Sequence, residues 1–353
     1  ESLDMKKLMI SLSLLLLAGM IGSSNEVQAC TRVVYKGNDN YVVTARSMDW
    51  KEDLYTNLWI FPRGMKRSGE IADNPLKWTS KYGSVVSSAY ENSSTDGMNE
   101  KGLVANLLWL AESEYPARDA SKPGLSIAGW VQYVLDNFAT VSEAVAAMES
   151  GSFQVVSDQM PDGSRMATLH LSISDAQGDN AIFEFIKGQL VVHHDPAYQV
   201  MTNSPIYEEQ LALNEYWQNI GGQTFLPGTN RAADRFVRAS YYINVIPKSA
   251  NRREVIGSVF SVIRNASVPY GISTPDQPNI SSTRWRTVSD QKNRVYYFEN
   301  SLYPSVIWVD FADINFDKQK KVMKLNLVKD SDHQGNVITG FQEAKPFQFV
   351  GIK

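Results

Sequence analysis

The chain has 353 residues, 34 Lys and Arg against 38 Asp and Glu, a formal charge of −4 and a single cysteine, Cys30. That balance, with no clustered basic face, gives no footprint for nucleic acid, and one cysteine excludes an intramolecular disulfide. Its length fits two domains or one large sheet-based domain.

The first 29 residues read as an export leader. Met5-Lys6-Lys7 is a basic start, residues 8–21 are an apolar run, and residues 22–29 end in the small-residue cleavage pattern Val27-Gln28-Ala29. The run is too short for a bilayer span, which takes about 20 residues, and no later stretch is long and apolar enough. Cleavage after Ala29 would make Cys30 the first residue, giving it both a thiol and a free α-amine. Val27-Gln28-Ala29-Cys30 also loosely fits a lipobox. Lipidation would consume the thiol and block the amine, leaving a tethered binding protein, so the two readings exclude each other.

Residues 31–35 and 41–46 are β-rich and flank Gly37-Asn38-Asp39-Asn40, a hairpin signal. A turn centred between Asn38 and Asp39 brings Arg46 and Ser47 opposite Cys30, with Asp49 close by. Further strands are expected at 57–61, 84–90 and 103–110, the last after the turn Asn99-Glu100-Lys101-Gly102. Ile127, Trp130, Val131, Val134, Leu135 and Phe138 form a helical stripe, and Thr140-Val141-Ser142-Glu143 is a capping box opening a second helix. Alternation returns at 167–174, 181–186, 189–193 and 198–202. Helices are expected at 206–220, 231–245 and 254–265, and strands at 285–289, 294–299, 306–311 and 322–327. Blocks of strands and helices in this order suit an α+β fold of antiparallel sheets covered by helices.

Most single cysteines are small buried hydrophobes, so catalysis needs supporting chemistry. A cysteine thiol titrates near ~8.5 and an α-amine near ~7.7 to 8.0, so the amine could take the thiol proton and return it to a leaving group. Arg46 is available to favour the thiolate and Asp49 to hold the amine. Asn203, where a strand pattern stops before Pro205, is a candidate oxyanion donor. Strand-end asparagines are more commonly turn formers. Arg235 shares an expected helix with Arg231 and Arg238, where a solvated face is the ordinary reading. His193-His194 lacks a third ligand at useful spacing, so no metal or other cofactor is expected.

Cys30-Thr31-Arg32, Arg46-Ser47-Met48-Asp49-Trp50, Asn99-Glu100-Lys101-Gly102-Leu103, Thr202-Asn203-Ser204-Pro205 and Leu226-Pro227-Gly228 through Asp234-Arg235-Phe236 together resemble the choloylglycine hydrolase family. This family of N-terminal-nucleophile hydrolases holds bile salt hydrolases and penicillin V acylases, and its Gram-negative penicillin V acylases are the most similar group. The resemblance implies a four-layer αββα sandwich over residues 30–353. It implies Cys30 as nucleophile, Arg46 as support for the thiolate, Asp49 as holder of the amine, Asn203 as oxyanion donor and Arg235 as completing the polar network. The family's second oxyanion contributor, asparagine or tyrosine in other members, falls by count at Trp109. Trp109 is therefore grouped with Trp50 as a wall of the acyl pocket. The resemblance further implies an acyl amide substrate, such as penicillin V or an N-acyl homoserine lactone, with conjugated bile acids as the alternative. It also implies a periplasmic homotetramer of a Gram-negative bacterium.

Overall fold

The computed structural model describes residues 29–352 apart from 161–162, 164–165, 223, 273–280, 304 and 329–331. The expected leader thus lies outside the described residues, except for Ala29. The first strands are β1 (Thr31–Lys36) and β2 (Val42–Trp50), rich in β-branched side chains and buried along nearly their whole length. They sit inside a seven-stranded sheet ordered Val200–Met201, β1, β2, Ser282–Asp290, Val295–Asn300, Val306–Asp310 and Gly335–Asn336. Facing it is a nine-stranded sheet whose centre is Leu169–Ser174, Val104–Trp109, Ser93–Asn99 and Ser84–Ala89. Neighbours in both sheets run antiparallel except Val306–Asp310 with Gly335–Asn336, a parallel pair that corrects the expectation of wholly antiparallel sheets.

Helices close the outer faces. On the nine-stranded sheet lie α1 (Trp130–Asn137), against Ser93–Asn99 and Val104–Trp109, and α2 (Val141–Glu149). The Thr140–Glu143 capping box is formed at the start of α2. On the seven-stranded sheet, α4 (Ala232–Val245) lies over β1 and α5 (Arg252–Asn265) over β2, while α3 (Tyr207–Ile220) packs on α4. The layers run α, β, β, α, the architecture the resemblance implies.

In such a sandwich the central strands have no solvent face, because one side meets helices and the other meets the second sheet. A polar residue there must be satisfied inside the protein. β2 carries Thr44, Arg46, Ser47 and Asp49, all 0–1% exposed, among Val43, Ala45 and Met48. That density of buried polarity marks the site.

The hairpin joining β1 and β2 differs slightly from the sequence expectation. Lys36 pairs with Val42 and Thr31 with Ser47, which places the turn's centre at Asp39. Asp39 and Asn40 take left-handed backbone angles of 54° and 55°, the conformation asparagine and aspartate tolerate best. The shift of one residue matters because side chains alternate between faces. In the observed register Cys30 and Arg46 share the face between the sheets, while Thr31, Ser47 and Asp49 point at the helical layer.

Ser93–Asn99 is a central strand that hydrophobic pattern did not reveal, since Ser93-Ser94-Thr95-Asp96-Gly97-Met98-Asn99 is mostly polar. Gly97 is required there by close approach: a Cβ would lie 2.7 Å from the Val85 carbonyl and 2.8 Å from Leu135 of α1.

Candidate active site

Cys30 ends the β1 edge just where the inter-sheet space opens, and is 2% exposed. Its Sγ lies 3.8 Å from the Arg46 guanidinium and 3.8 Å from the Asp49 carbonyl oxygen. Burial pushes the thiol upward; Arg46 pulls it down and the Asp49 charge pushes it up again. The resting group is therefore a thiol at neutral pH, and any reaction it performs needs a base.

Arg46 is held rigidly. It donates to the Thr95 and Leu107 carbonyls of the facing sheet at 3.2 and 3.0 Å and lies 4.8 Å from the centre of the Trp285 ring. Its counter-charge is Asp96, 3.8 Å away and fully buried. Asp96 also accepts from Asn106, Thr287 and Tyr296.

A second cluster lies on the helical side. Asp49 accepts from Thr283 and Ser47 and sits 4.0 Å from Arg235. Burial raises its carboxyl to about 6, against opposing pulls from Arg235 and the Thr283 hydroxyl. Arg235 is fully buried and Arg238 is buried too, on the Pro227 and Thr229 carbonyls, whereas Arg231 one turn earlier is exposed. The Arg235 guanidinium donates to the Cys30 carbonyl and to Thr31 Oγ1, each at 2.6 Å, and to Asn203 Oδ1 at 3.0 Å. Burial lowers its own pKa, and Asp49 opposes that.

Asn203 joins the two clusters. Its Oδ1 accepts from the Cys30 backbone nitrogen as well as from Arg235, and its Nδ2 donates to the Trp109 carbonyl at 2.7 Å. These three partners fix which way the amide points. Here the Cys30 nitrogen is an amide joined to Ala29, and its partner is Asn203, while Asp49 is engaged by Thr283, Ser47 and Arg235.

Above the thiol lies a cavity enclosing about 750 Å³ of empty space, part of it open to solvent. Its walls are mostly apolar: Met48, Trp50, Ala89, Leu107, Trp109 and Met160 all line it, with Cys30 and Arg46 among the lining residues. Trp50 and Trp109 meet at 6.0 Å between ring centres, tilted by 56°. The Trp50 indole N–H donates to the Tyr90 hydroxyl at 2.9 Å, which removes its polar edge from the wall.

The structure therefore brings Cys30, Arg46, Asp49, Asn203 and Arg235 together, with Trp50 and Trp109 over the thiol. Sequence reasoning missed Asp96 and Thr283. The first sits on the polar strand that lacked a pattern. Thr283 reaches Asp49 from 234 positions away, and no local signal could have announced it. Among the described residues no group of three or more His, Cys, Asp or Glu could hold a metal.

Residues 30–324 match the family described as linear amide C–N hydrolases, choloylglycine hydrolase family. The chain is 52% identical to a penicillin V acylase of Pectobacterium atrosepticum, over 96% of each chain. The solved penicillin V acylase of Agrobacterium tumefaciens is 60% identical, superposes with a TM-score of 0.86, and covers 92% of this chain and 100% of its own. A conjugated bile acid hydrolase of Clostridium perfringens has the same fold, with a TM-score of 0.70 at 21% identity over 91% of this chain and 99% of its own. The cavity lined by Cys30 is compatible with these likenesses, and they show that the chain belongs to the choloylglycine hydrolase family and is a hydrolase of linear amide C–N bonds.

Proposed function

We propose that this enzyme is an exported amidohydrolase of the penicillin V acylase type, with Cys30 as its N-terminal nucleophile. The observation that carries the reading is the placement of Cys30 Sγ at the base of a tryptophan-walled cavity, 3.8 Å from Arg46, with its own nitrogen seated on Asn203. Removal of residues 1–29 would turn that nitrogen from an amide without a basic lone pair into an amine titrating near ~7.7 to 8.0. The amine takes the thiol proton, and Cys30 attacks the acyl carbonyl. Arg46 stabilises the thiolate. Asn203 uses one Nδ2 hydrogen on Trp109, which leaves the other for the oxyanion. The protonated amine then gives its proton to the leaving nitrogen, and water hydrolyses the thioester. Asn203 seats the nitrogen and Arg235 the Cys30 carbonyl, and Asp49 is the buried carboxylate that would take up the amine once the bond to Ala29 is cut.

Trp50 and Trp109 favour a flat aromatic or extended alkyl acyl group, which supports phenoxyacetyl amides first and long-chain N-acyl homoserine lactones second. Export to the periplasm and assembly as a homotetramer complete the proposal. A tethering Cys30 is the less supported reading, because a thiol 2% exposed at a cavity floor is a poor lipid anchor.

The test compares hydrolysis of penicillin V, a long-chain acyl homoserine lactone and glycocholate by protein whose Cys30 terminus has been verified by intact mass. Penicillin V turnover that vanishes in Cys30→Ser is expected. Dominant glycocholate turnover, or a diacylglyceryl adduct on Cys30, would sink the proposal.

A further inference from the structure

The strand segment that delivers Asn203 is short. Val200–Met201 is the edge strand beside β1, and the register that pairs Arg32 with Met201 turns the Thr202 carbonyl away from β1, toward the open side of the sheet. A histidine fills the place. His170, on Leu169–Ser174 and fully buried, has Nε2 2.9 Å from the Thr202 carbonyl oxygen and Nδ1 3.1 Å from Glu184 Oε1. A carbonyl oxygen can only accept, so Nε2 carries a hydrogen.

The state of Nδ1 depends on Glu184, which is itself 1% exposed. Both of its oxygens lie 3.1 Å from the Tyr207 backbone nitrogen at the start of α3, and Oε2 lies 3.3 Å from His193 Nε2. Burial alone would raise this carboxyl, but the bonds from His170 and His193, with the Tyr207 N–H, bring it down to about 2. The Tyr207 N–H faces both oxygens at equal distance, as it would face a carboxylate, and Glu184 then accepts from every neighbour. Nδ1 must then carry a hydrogen too. Other titratable groups around the pair are His193, whose ring lies tilted against Tyr207 at 5.0 Å between centres, and Tyr207 itself, whose hydroxyl burial keeps neutral.

We propose that His170 is a buried imidazolium neutralised by Glu184, and that this ion pair is the positioning element for Asn203. Fixing the Thr202 carbonyl fixes the peptide plane leading into Asn203. From there the side chain must span Cys30 N, Arg235 and Trp109 at once. Gln210 supports the same segment from the other side, through the Asn203 and Pro205 carbonyls. A neutral His170 would release one of its two partners, and the segment would gain a rotation that swings the amide off the Cys30 nitrogen.

The functional half of this inference rests on the proposed roles of Cys30 and Asn203; the charge state does not. Nitrogen-15 NMR of histidine-labelled wild-type protein reads the charge directly. With four histidines in the chain, His170 can be assigned by elimination using His193→Gln, His194→Gln and His333→Gln. Both ring nitrogens of His170 should be protonated at pH 7 to 8, and a neutral ring there overturns the ion pair whatever the enzyme cleaves. In kinetics, His170→Gln should lower kcat on the order of 10²-fold through misplacement of Asn203. KM should change by less than about threefold. Glu184→Gln keeps the shape and one acceptor oxygen but turns the other into a donor NH2 and loses the charge, and should fall in between. Wild-type kcat in either folded variant overturns the positioning role. A wild-type protein that cleaves no linear amide would instead count against the function, leaving the NMR result to stand.

Discussion

Asp49 is the residue whose environment has the clearest solution consequence. Its carboxyl is raised from an ordinary 3.8 to about 6 by burial, so the folded chain binds that proton more tightly than the unfolded chain does. The cost of holding the charge is absent at low pH, grows as pH rises through this window and is complete above about 6. An asparagine at the position carries no such cost. The stability of Asp49→Asn relative to wild type should therefore increase by about 2 kcal/mol between pH 4 and pH 7, while turnover falls. Urea unfolding of both proteins at the two pH values measures this, and a pH-independent difference would contradict it. The polar pair was legible from sequence because Arg46 and Asp49 lie one hairpin from Cys30. What was not legible is which of the two shares a face with Cys30. That depends on whether the strand register is odd or even, and the turn residues Asn38 to Asn40 do not specify it.

Among the elements, the helices were the easiest to foresee. The 3.6-residue stripe of α1 and the capping box of α2 are local signals, and both appear as expected. Thr140 Oγ1 accepts from the Glu143 nitrogen at 3.3 Å, and Glu143 reaches back to the Thr140 nitrogen at 3.3 Å. Thr140→Ala should cost about 1 kcal/mol of stability, seen as a lower thermal midpoint, and leave kcat/KM unchanged because α2 covers the outer face far from Cys30. Loss of activity in the folded variant would mean that the outer helices couple to the site. Ser93–Asn99 shows the opposite case. A strand buried on both faces need not alternate, and this one holds Asp96 for Arg46, so its function erased the pattern by which it could have been recognised.

For the whole molecule, the four layers explain why a polar site can exist in an interior. Two sheets, each capped by helices, leave a slot between them that is partly open to solvent, and Cys30, Trp50 and Trp109 all line it. The slot's volume follows from side chains of the nine-stranded sheet as much as from the strand bearing Cys30. Ala89→Leu should fill part of the cavity and lower kcat/KM for a phenoxyacetyl amide by about tenfold, an amount typical of a few misplaced methylenes. Alkylation of Cys30 by iodoacetamide should proceed at nearly the wild-type rate. Equal loss of both would show that the residue supports the nucleophile rather than the acyl group.

The slot is assembled from two sources. Cys30, Arg46, Met48 and Trp50 come from the seven-stranded sheet, while Ala89, Thr95, Leu107, Trp109 and Leu169 come from the opposing one. The proposed nucleophile and most of the apolar wall facing it are therefore carried on different stretches of chain, tied together where Arg46 donates to the Thr95 and Leu107 carbonyls. A lineage can remodel one bank while inheriting the other unchanged. Under the proposed function, a change in the opposing wall would alter the acyl group accepted while leaving Cys30 and Arg46 in place.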